Sequence, residues 1–331
     1  MATAKGITWK GGSIVEPGIY SNMPLDHYHS AAVCDAPAIS SSGLRTIFNS
    51  SPAHYWVGSP YNKQRLDEPT PRHFALGRAM HHLAMGQAAF DREFAVTPEY
   101  TKNAQGASVA WSLRTNHAKA WIEACEKSKR DWITRSEIEQ IRGMSEALAA
   151  NGFVTGAGVL QGFVERSGFY RDEETGVWLK IRPDVIPSHR GGEMVDLKTC
   201  ASVQWPDLLR AVENHGYDQQ FSLMREVLRK LKMPFTAAAL VFVEKTPPHC
   251  VRVVELSDDD LDMGEAKNRT ALRRFALCWN ANRWPGPGGE RRDAETLKLT
   301  DAARARADSR LKSYREEEDH DRRAGANVDI R

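Results

Sequence analysis

Two aspartates and a lysine raise the chemical question. In the stretch RPDVIPSHRGGEMVDLKTC, Arg182 to Cys200, two apolar runs are each interrupted by an acid, Asp184 and Asp196. Lys198 follows the second acid at a spacing of two. Side chains two apart on a strand share a face, so Asp196 and Lys198 point the same way. Asp184 belongs to the preceding strand, just before a hairpin loop. If the two strands pair, the carboxylates sit side by side, and close carboxylates repel unless a positive group lies between them. A divalent cation does that, and hard oxygen donors select Mg2+ or Mn2+. An ammonium beside it can lower the pKa of an attacking water or steady developing charge. Such an arrangement suits phosphodiester hydrolysis.

The spacing alone is a weak signal. Glu265-Ala266-Lys267 matches it inside a helical stretch, where it carries no chemistry. A half-exposed strand with an alternating charged face also accounts for Asp196 and Lys198. Against this, Asp184 sits among Ile181, Val185 and Ile186, and Asp196 among Met194, Val195 and Leu197. Acids in such runs cost free energy unless paired or metal-bound. Other residues add to the pattern. Glu165 opens a strand, as a site member or as a surface acid. Tyr217 and Gln220, three apart, share a helix face that continues through Met224 and Leu228. They mark either a site at the helix end or a boundary pair satisfied by water. His81 and His82 lie in a helix rich in small residues, where a lone histidine is more often structural than a ligand.

The elements that must hold these residues can be read from periodicity. Residues 1–38, rich in Gly, Pro and Ser, are expected to be irregular. AISSSGLRTIFNSSPAHYW predicts two short helices, with Ser51 and Pro52 as N-cap and first residue of the second. His73 to Phe90 predicts one helix, and Val109 to Lys127 another. Thr134 and Glu137 form a capping box; Ile138, Ile141, Met144 and Leu148 make the stripe; Gly152 is the stop. The period then changes to two. FVERSGFYR, VWLKIRPDVIP and MVDLKTC predict three strands in a meander. Residues 205–232 are helical, FTAAALVFVE is a buried central strand, HCVRVVEL lies beside it, and a helix spans Leu261 to Asn282. The order α-β-β-β-α-β, with a helical right-handed crossover, makes the sheet mixed.

Composition narrows the partners. The 331 residues carry a net charge of +2, too small to argue for nucleic acid by itself. The five cysteines, Cys34, Cys125, Cys200, Cys250 and Cys278, form no CxxC pair, which argues against a disulfide framework or a four-cysteine metal centre. No apolar leader or membrane-length segment stands out, so a soluble cytoplasmic protein is expected. From Asp301 to Arg331 eight basic and eight acidic residues cancel, so this tail is not a polybasic arm.

Six pieces in order carry a resemblance: ISSSGLRTIFNSSPAHYW, GRAMHHLAMG, VERSGFY, the RPD of Arg182 to Asp184, DLKT and YDQQ. Over roughly residues 25–285 the chain resembles the PD-(D/E)XK nucleases, and within them the RecE-type phage recombination exonucleases (the exodeoxyribonuclease VIII nuclease domain). The resemblance implies a restriction-endonuclease-like α/β core, a mixed sheet flanked by helices. With the irregular segment at 1–38 and a charged, partly helical or disordered tail at 286–331 read from composition, the nuclease domain is expected at 39–285. The resemblance further implies that Asp184 bridges the metal or metals, that Asp196 and the backbone carbonyl of Leu197 are ligands, and that Lys198 orients or activates the attacking water. His81 would complete the metal shell and Glu165 would serve a second metal. Tyr217 and Gln220 would hold the phosphate backbone or order the lysine; His82 and Gln219 are the adjacent alternatives. The implied activity is a Mg2+-dependent exodeoxyribonuclease, with Mn2+ as a substitute ion, acting 5′→3′ on linear duplex DNA with a free end. A homo-oligomeric ring and a single-strand annealing protein are the implied partners. An endonuclease or repair or defence nuclease of the same fold is the alternative, and a non-catalytic DNA-binding module the third reading. The segment from Thr101 to Asp131 matches nothing in that family.

Overall fold

A computed structural model of the chain describes residues 6–66, 75–84, 87–156, 162–164, 166–187, 192–233, 235, 237–289 and 294–325. The N-terminal part holds β1 (Ile7–Thr8), β2 (Gly18–Ser21), α1 (Leu25–His29), β3 (Ala38–Ser40), α2 (Ser41–Asn49) and α3 (Pro52–Val57). There follow α4 (Ala75–Ala84), α5 (Gln87–Glu93), β4 (Phe94–Val96), β5 (Tyr100–Lys102), β6 (Ser108–Ala110), α6 (Asn116–Lys127), β7 (Asp131–Ile133), α7 (Arg135–Ala150) and α8 (Gly152–Gly156). The strand-rich part holds β8 (Gly162–Val164), β9 (Ser167–Arg171), β10 (Trp178–Ile181), β11 (Val185–Pro187) and β12 (Met194–Cys200). It leads into α9 (Trp205–His215), α10 (Tyr217–Lys230), β13 (Ala238–Glu244), β14 (Val251–Glu255) and α11 (Asp258–Ala281). A separate compact unit, Gly288–Arg331, contains α12 (Asp301–Gly325), a polar helix.

The apolar run ALVFVE becomes β13 because both of its faces are covered, which removes any need for polar alternation. β13 lies between β12, parallel, and β14, antiparallel. Leu240 and Phe242 face one core, shared with Phe221, Met224 and Leu228 of α10. Ala239, Val241 and Val243 face another, shared with Leu76, Ala79 and Met80 of α4 and Ile141, Met144 and Leu148 of α7. The parallel β12–β13 pair and the crossover through α9 and α10 match the expected mixed sheet.

A second sheet runs β1-β2-β9-β10-β3. Ile19, Leu179 and Ile181 turn one face of it to the α10 core. Tyr20, Phe169 and Trp178 turn the other to a core closed by Tyr28, Val33 and Cys34. Where the sequence reading expects an irregular segment, the described residues 6–38 therefore carry β1, β2, α1 and the start of β3. β2 pairs antiparallel with β9, and β1 and β2, at two and four residues, are too short to show a period.

The meander is also corrected. β9 and β10 form the expected hairpin, but the first strand splits into β8 and β9, and β11 ladders with β8 rather than β12. The chain leaves the β10 ladder at Arg182-Pro183, where proline has no N–H to donate. Within the expected helix over 73–90 the described residues are helical, as α4 and α5, and the helix expected over 109–127 begins only at Asn116, after the β5–β6 hairpin. The capping box at Thr134 and Glu137 is present. Gly152 starts α8 instead of ending α7, because Asn151 Oδ1 accepts from Phe153 N and Val154 N.

α10 is held on α11 by polar as well as apolar contacts. Lys267 Nζ lies 2.7 Å from Asp218, Asn268 Nδ2 donates to the Gln219 carbonyl at 2.8 Å, and Arg269 donates to Glu226 at 2.6 Å. Three consecutive α11 residues thus fix the position of the helix that begins with Tyr217.

Candidate active site

β12 alternates as its sequence requires. Val195 and Leu197 enter the α4–α7 core, while Asp196 and Lys198 turn to the α10 side. Asp196 is only 4% exposed, so its charge must be met by nearby groups. Gln220 Nε2 donates to Asp196 Oδ1 at 2.9 Å, and the Lys198 ammonium forms an ion pair with Asp196 Oδ2. The same ammonium stands 5.0 Å from the centre of the Tyr217 ring, within cation–π range. Burial alone pulls the Lys198 pKa down, but Asp196, then Tyr217 and Asp184, outweigh it and hold the lysine above its ordinary range. Asp184, half-buried in the turn between β10 and β11, therefore acts on the ammonium that Asp196 binds.

The structure separates the glutamine doublet. Gln219 is buried and donates to Asn268 Oδ1 at 3.1 Å, so it belongs to the α10–α11 contact. Gln220, one residue on, meets Asp196. Tyr217 and Gln220 occupy the first turn of α10, which is preceded by Gly216 with φ of 59°, a left-handed conformation that favours glycine. Burial raises the Tyr217 hydroxyl pKa and Lys198 opposes that shift.

Two residues near the site were not singled out from sequence. Arg45 of α2 donates through Nη1 to the carbonyl of His215, the last residue of α9. Burial lowers the Arg45 pKa, while Tyr217, Asp196 and Asp218 act against that. His215 has its ring centre 5.5 Å from that of Tyr217. Burial first, then the Arg45 and Lys198 cations, keep its imidazole below the usual histidine range. No motif links Arg45 to His215; only the fold brings them together.

α4 crosses β12 closely, since a Cβ on Gly77 would lie 3.2 Å from Thr199 Oγ1. The described side chains Leu76, Ala79 and Met80 pack with Val195 and Leu197, on the face of β12 away from Lys198. The side chains of His81 and His82, and all of Glu165, lie outside the described residues. Among the described residues no three His, Cys, Asp or Glu side chains gather as a metal cluster. The described donors that remain, Asp184 and Asp196, are hard carboxylates acting on one shared positive group. That chemistry fits a divalent cation bound by oxygen.

A comparison with curated proteins gives no match. Among solved structures, a crystal structure from Eubacterium rectale named "Putative exonuclease" matches with a TM-score of 0.54 at 14% identity. The match covers 84% of this chain and 96% of that one, a likeness of fold. Among the described residues no helix is long and apolar enough to cross a membrane. The family model described as a PDDEXK-like domain of unknown function (DUF3799) matches residues 40–296. That span holds α2, both sheets' central strands and every residue around Lys198, so the chain belongs to the PDDEXK-like DUF3799 family.

Proposed function

We propose that this chain is a Mg2+-dependent DNA exonuclease that degrades linear duplex DNA from a free end in the 5′→3′ direction, leaving single strands for annealing-type recombination. The observation that carries this reading is the meeting of Asp196, Lys198, Gln220 and Tyr217 at one half-buried spot, with Asp184 acting on the same ammonium. Asp184 and Asp196 would hold the cation, with Mn2+ as a substitute. The Leu197 carbonyl, His81 and Glu165 would complete the ligand set. A bound divalent ion polarises a phosphoryl oxygen and lowers the pKa of a coordinated water.

The protein side of the mechanism follows from charge and geometry. Lys198, paired with Asp196, would orient the attacking water. It acts by steadying negative charge on the attacking oxygen or the phosphate. Gln220 ties one Asp196 oxygen and thereby orients the carboxylate. Tyr217 offers its ring to Lys198, which limits where the ammonium can go. In this reading Tyr217 and Gln220 also line the path of the phosphate backbone.

The requirement for an end is supported by the pieces of α2, α3 and α4 that match the exonuclease branch and by the name of the Eubacterium rectale neighbour. The net charge of +2 agrees with a ring that encloses DNA, because enclosure depends less on phosphate neutralisation than an open groove does. A homo-oligomeric ring and a single-strand annealing partner belong to the same proposal. The test is digestion of linear and covalently closed supercoiled duplex with Mg2+ and with EDTA. Linear DNA should shorten to single strands and nucleotides in Mg2+ alone while the circle persists. Equal internal cutting of the circle overturns the free-end reading, and no cutting of either overturns the nuclease reading.

A further inference from the structure

We infer that Arg45 is a positioning residue, a latch from α2 that fixes the α9–α10 junction and thereby sets Tyr217 and Gln220 against Lys198 and Asp196. This rests on the nuclease reading for its consequence in activity, but the latch itself is a separate structural statement.

The geometry is as follows. α9 ends at His215 and α10 begins at Tyr217, with only Gly216 between them. The junction therefore has one residue with which to set the direction of α10, and that residue is left-handed. Arg45 closes over it in two ways. Its Nη1 donates to the His215 carbonyl, and its stem lies so close that a Cβ on Gly216 would fall 2.7 Å from Arg45 Cδ. Carbonyls at a helix C-terminus lack intrahelical partners, so a cation there supplies both a donor and a favourable charge. α2 is itself fixed, since Leu44 and Ile47 are buried in the core that holds Phe221 and Met224 of α10. The latch thus joins a rigid helix to a one-residue hinge.

What the hinge controls is next in sequence. Tyr217 meets Lys198 through its ring, and Gln220, one turn later, meets Asp196 at 2.9 Å. A shift of the first turn of α10 moves both contacts together. Displacements of about 1 Å at supporting residues can cost roughly 10²-fold in rate, because a reacting geometry tolerates little error. Arg45 therefore acts on turnover through Tyr217 and Gln220, without touching DNA itself.

The experiment uses the full chain and the variants Arg45→Met, Arg45→Lys and Gln220→Ala. The first readout is His215, whose ring signal is assigned in the NMR spectrum by its loss in His215→Gln. Arg45 and Lys198 are the cations that act on it, so Arg45→Met should raise the pH at which His215 titrates, and Arg45→Lys should move it less. An unchanged titration in Arg45→Met overturns the latch, whatever the protein does to DNA. The second readout is DNA digestion. Arg45→Met should lower kcat by about 10-fold to 10²-fold with little change in KM. Arg45→Lys should recover most of it, since a single donor serves the carbonyl. In the Gln220→Ala background Arg45→Met should add little, as expected of residues acting through one contact. Full multiplication of the two losses overturns the positioning role. If the parent chain has no nuclease activity, that reading fails alone, and the His215 titration still decides the latch. Should Arg45→Met fail to fold, Arg45→Gln, which removes the charge, carries both readouts, and an unchanged His215 titration in it overturns the latch.

Discussion

Lys180 on β10 offers a sharp test of how the N-terminal segment is sealed onto the sheet. It is 5% exposed, its Nζ donates to the Tyr28 carbonyl at 2.7 Å and lies 4.8 Å from the Tyr28 ring centre. No carboxylate pairs with it among the described residues. Burial lowers its pKa from the ordinary 10.5 to about 8. A folded pKa below the unfolded one means that the unfolded chain holds more protons between those values. Stability from this group therefore rises with pH through that window, is complete above the unfolded pKa, and is lost as pH falls through about 8. At about 1.4 kcal/mol per unit, the full swing is about 3 kcal/mol. Other groups titrate the opposite way: burial pushes the Cys34 thiol up to about 12, so the fold loses stability as the unfolded thiol ionises. Because Lys180 and Cys34 act on each other, the comparison with Lys180→Met is made in a Cys34→Ala background, where the remaining contributions are largely shared. Urea unfolding followed by tryptophan fluorescence should show this difference level below pH 8. It should then shift in favour of the lysine protein by about 3 kcal/mol up to pH 10.5. At pH 7 the methionine variant should be near parity. It escapes the desolvation cost but leaves the Tyr28 carbonyl without its donor, a loss of about 1–3 kcal/mol. A flat difference across the window would refute the reasoning, because Lys180 would then have water or a counter-charge at hand. The N-terminal segment would not seal the strand that leads to Asp184.

Asp184→Ala should abolish DNA digestion while the thermal transition stays in place; cutting by a folded variant removes Asp184 from the site. Lys198→Ala should lower turnover by about 10²-fold with little loss of DNA affinity, as measured by kinetics alongside a binding titration. A defect confined to binding would contradict its electrostatic role. Arg269→Met should destabilise the protein by about 3–5 kcal/mol, because it strands two buried carboxylates, Asp172 and Glu226, each 2.6 Å from the guanidinium. Its melting temperature should fall by roughly 10 °C, and an unchanged melt would show that the network contributes nothing.

Much of the site's local chemistry was legible in the sequence. Period two placed Asp196 and Lys198 on one face, and period 3.6 placed Tyr217 and Gln220 on one helix turn. The unbroken apolar run of β13 announced a strand covered on both sides. The capping box at Thr134 and the N-cap at Ser51 are local chemistry, and both formed as written. Each of these depends on residues within a few positions of one another, so the chain alone specifies them.

What the tertiary structure decided depends on partners far away in the chain. Gln219 and Gln220 are chemically identical, and only the docking of α11 sends one to Asn268 and leaves the other for Asp196. Strands as short as β1, β2 and β8 have too few residues to show a period, so the pairing of β1 with β2, β2 with β9 and β8 with β11 is set by the sheet that receives them. β11 follows β8 rather than β12 because Pro183 breaks the ladder before it. Arg45 meets the His215 carbonyl across 170 residues of sequence. An arginine in a helix has no local signature of its partner. Its role is written by the packing that brings α2 to the end of α9, since hydrophobic contact is non-directional and leaves such polar meetings to the completed fold.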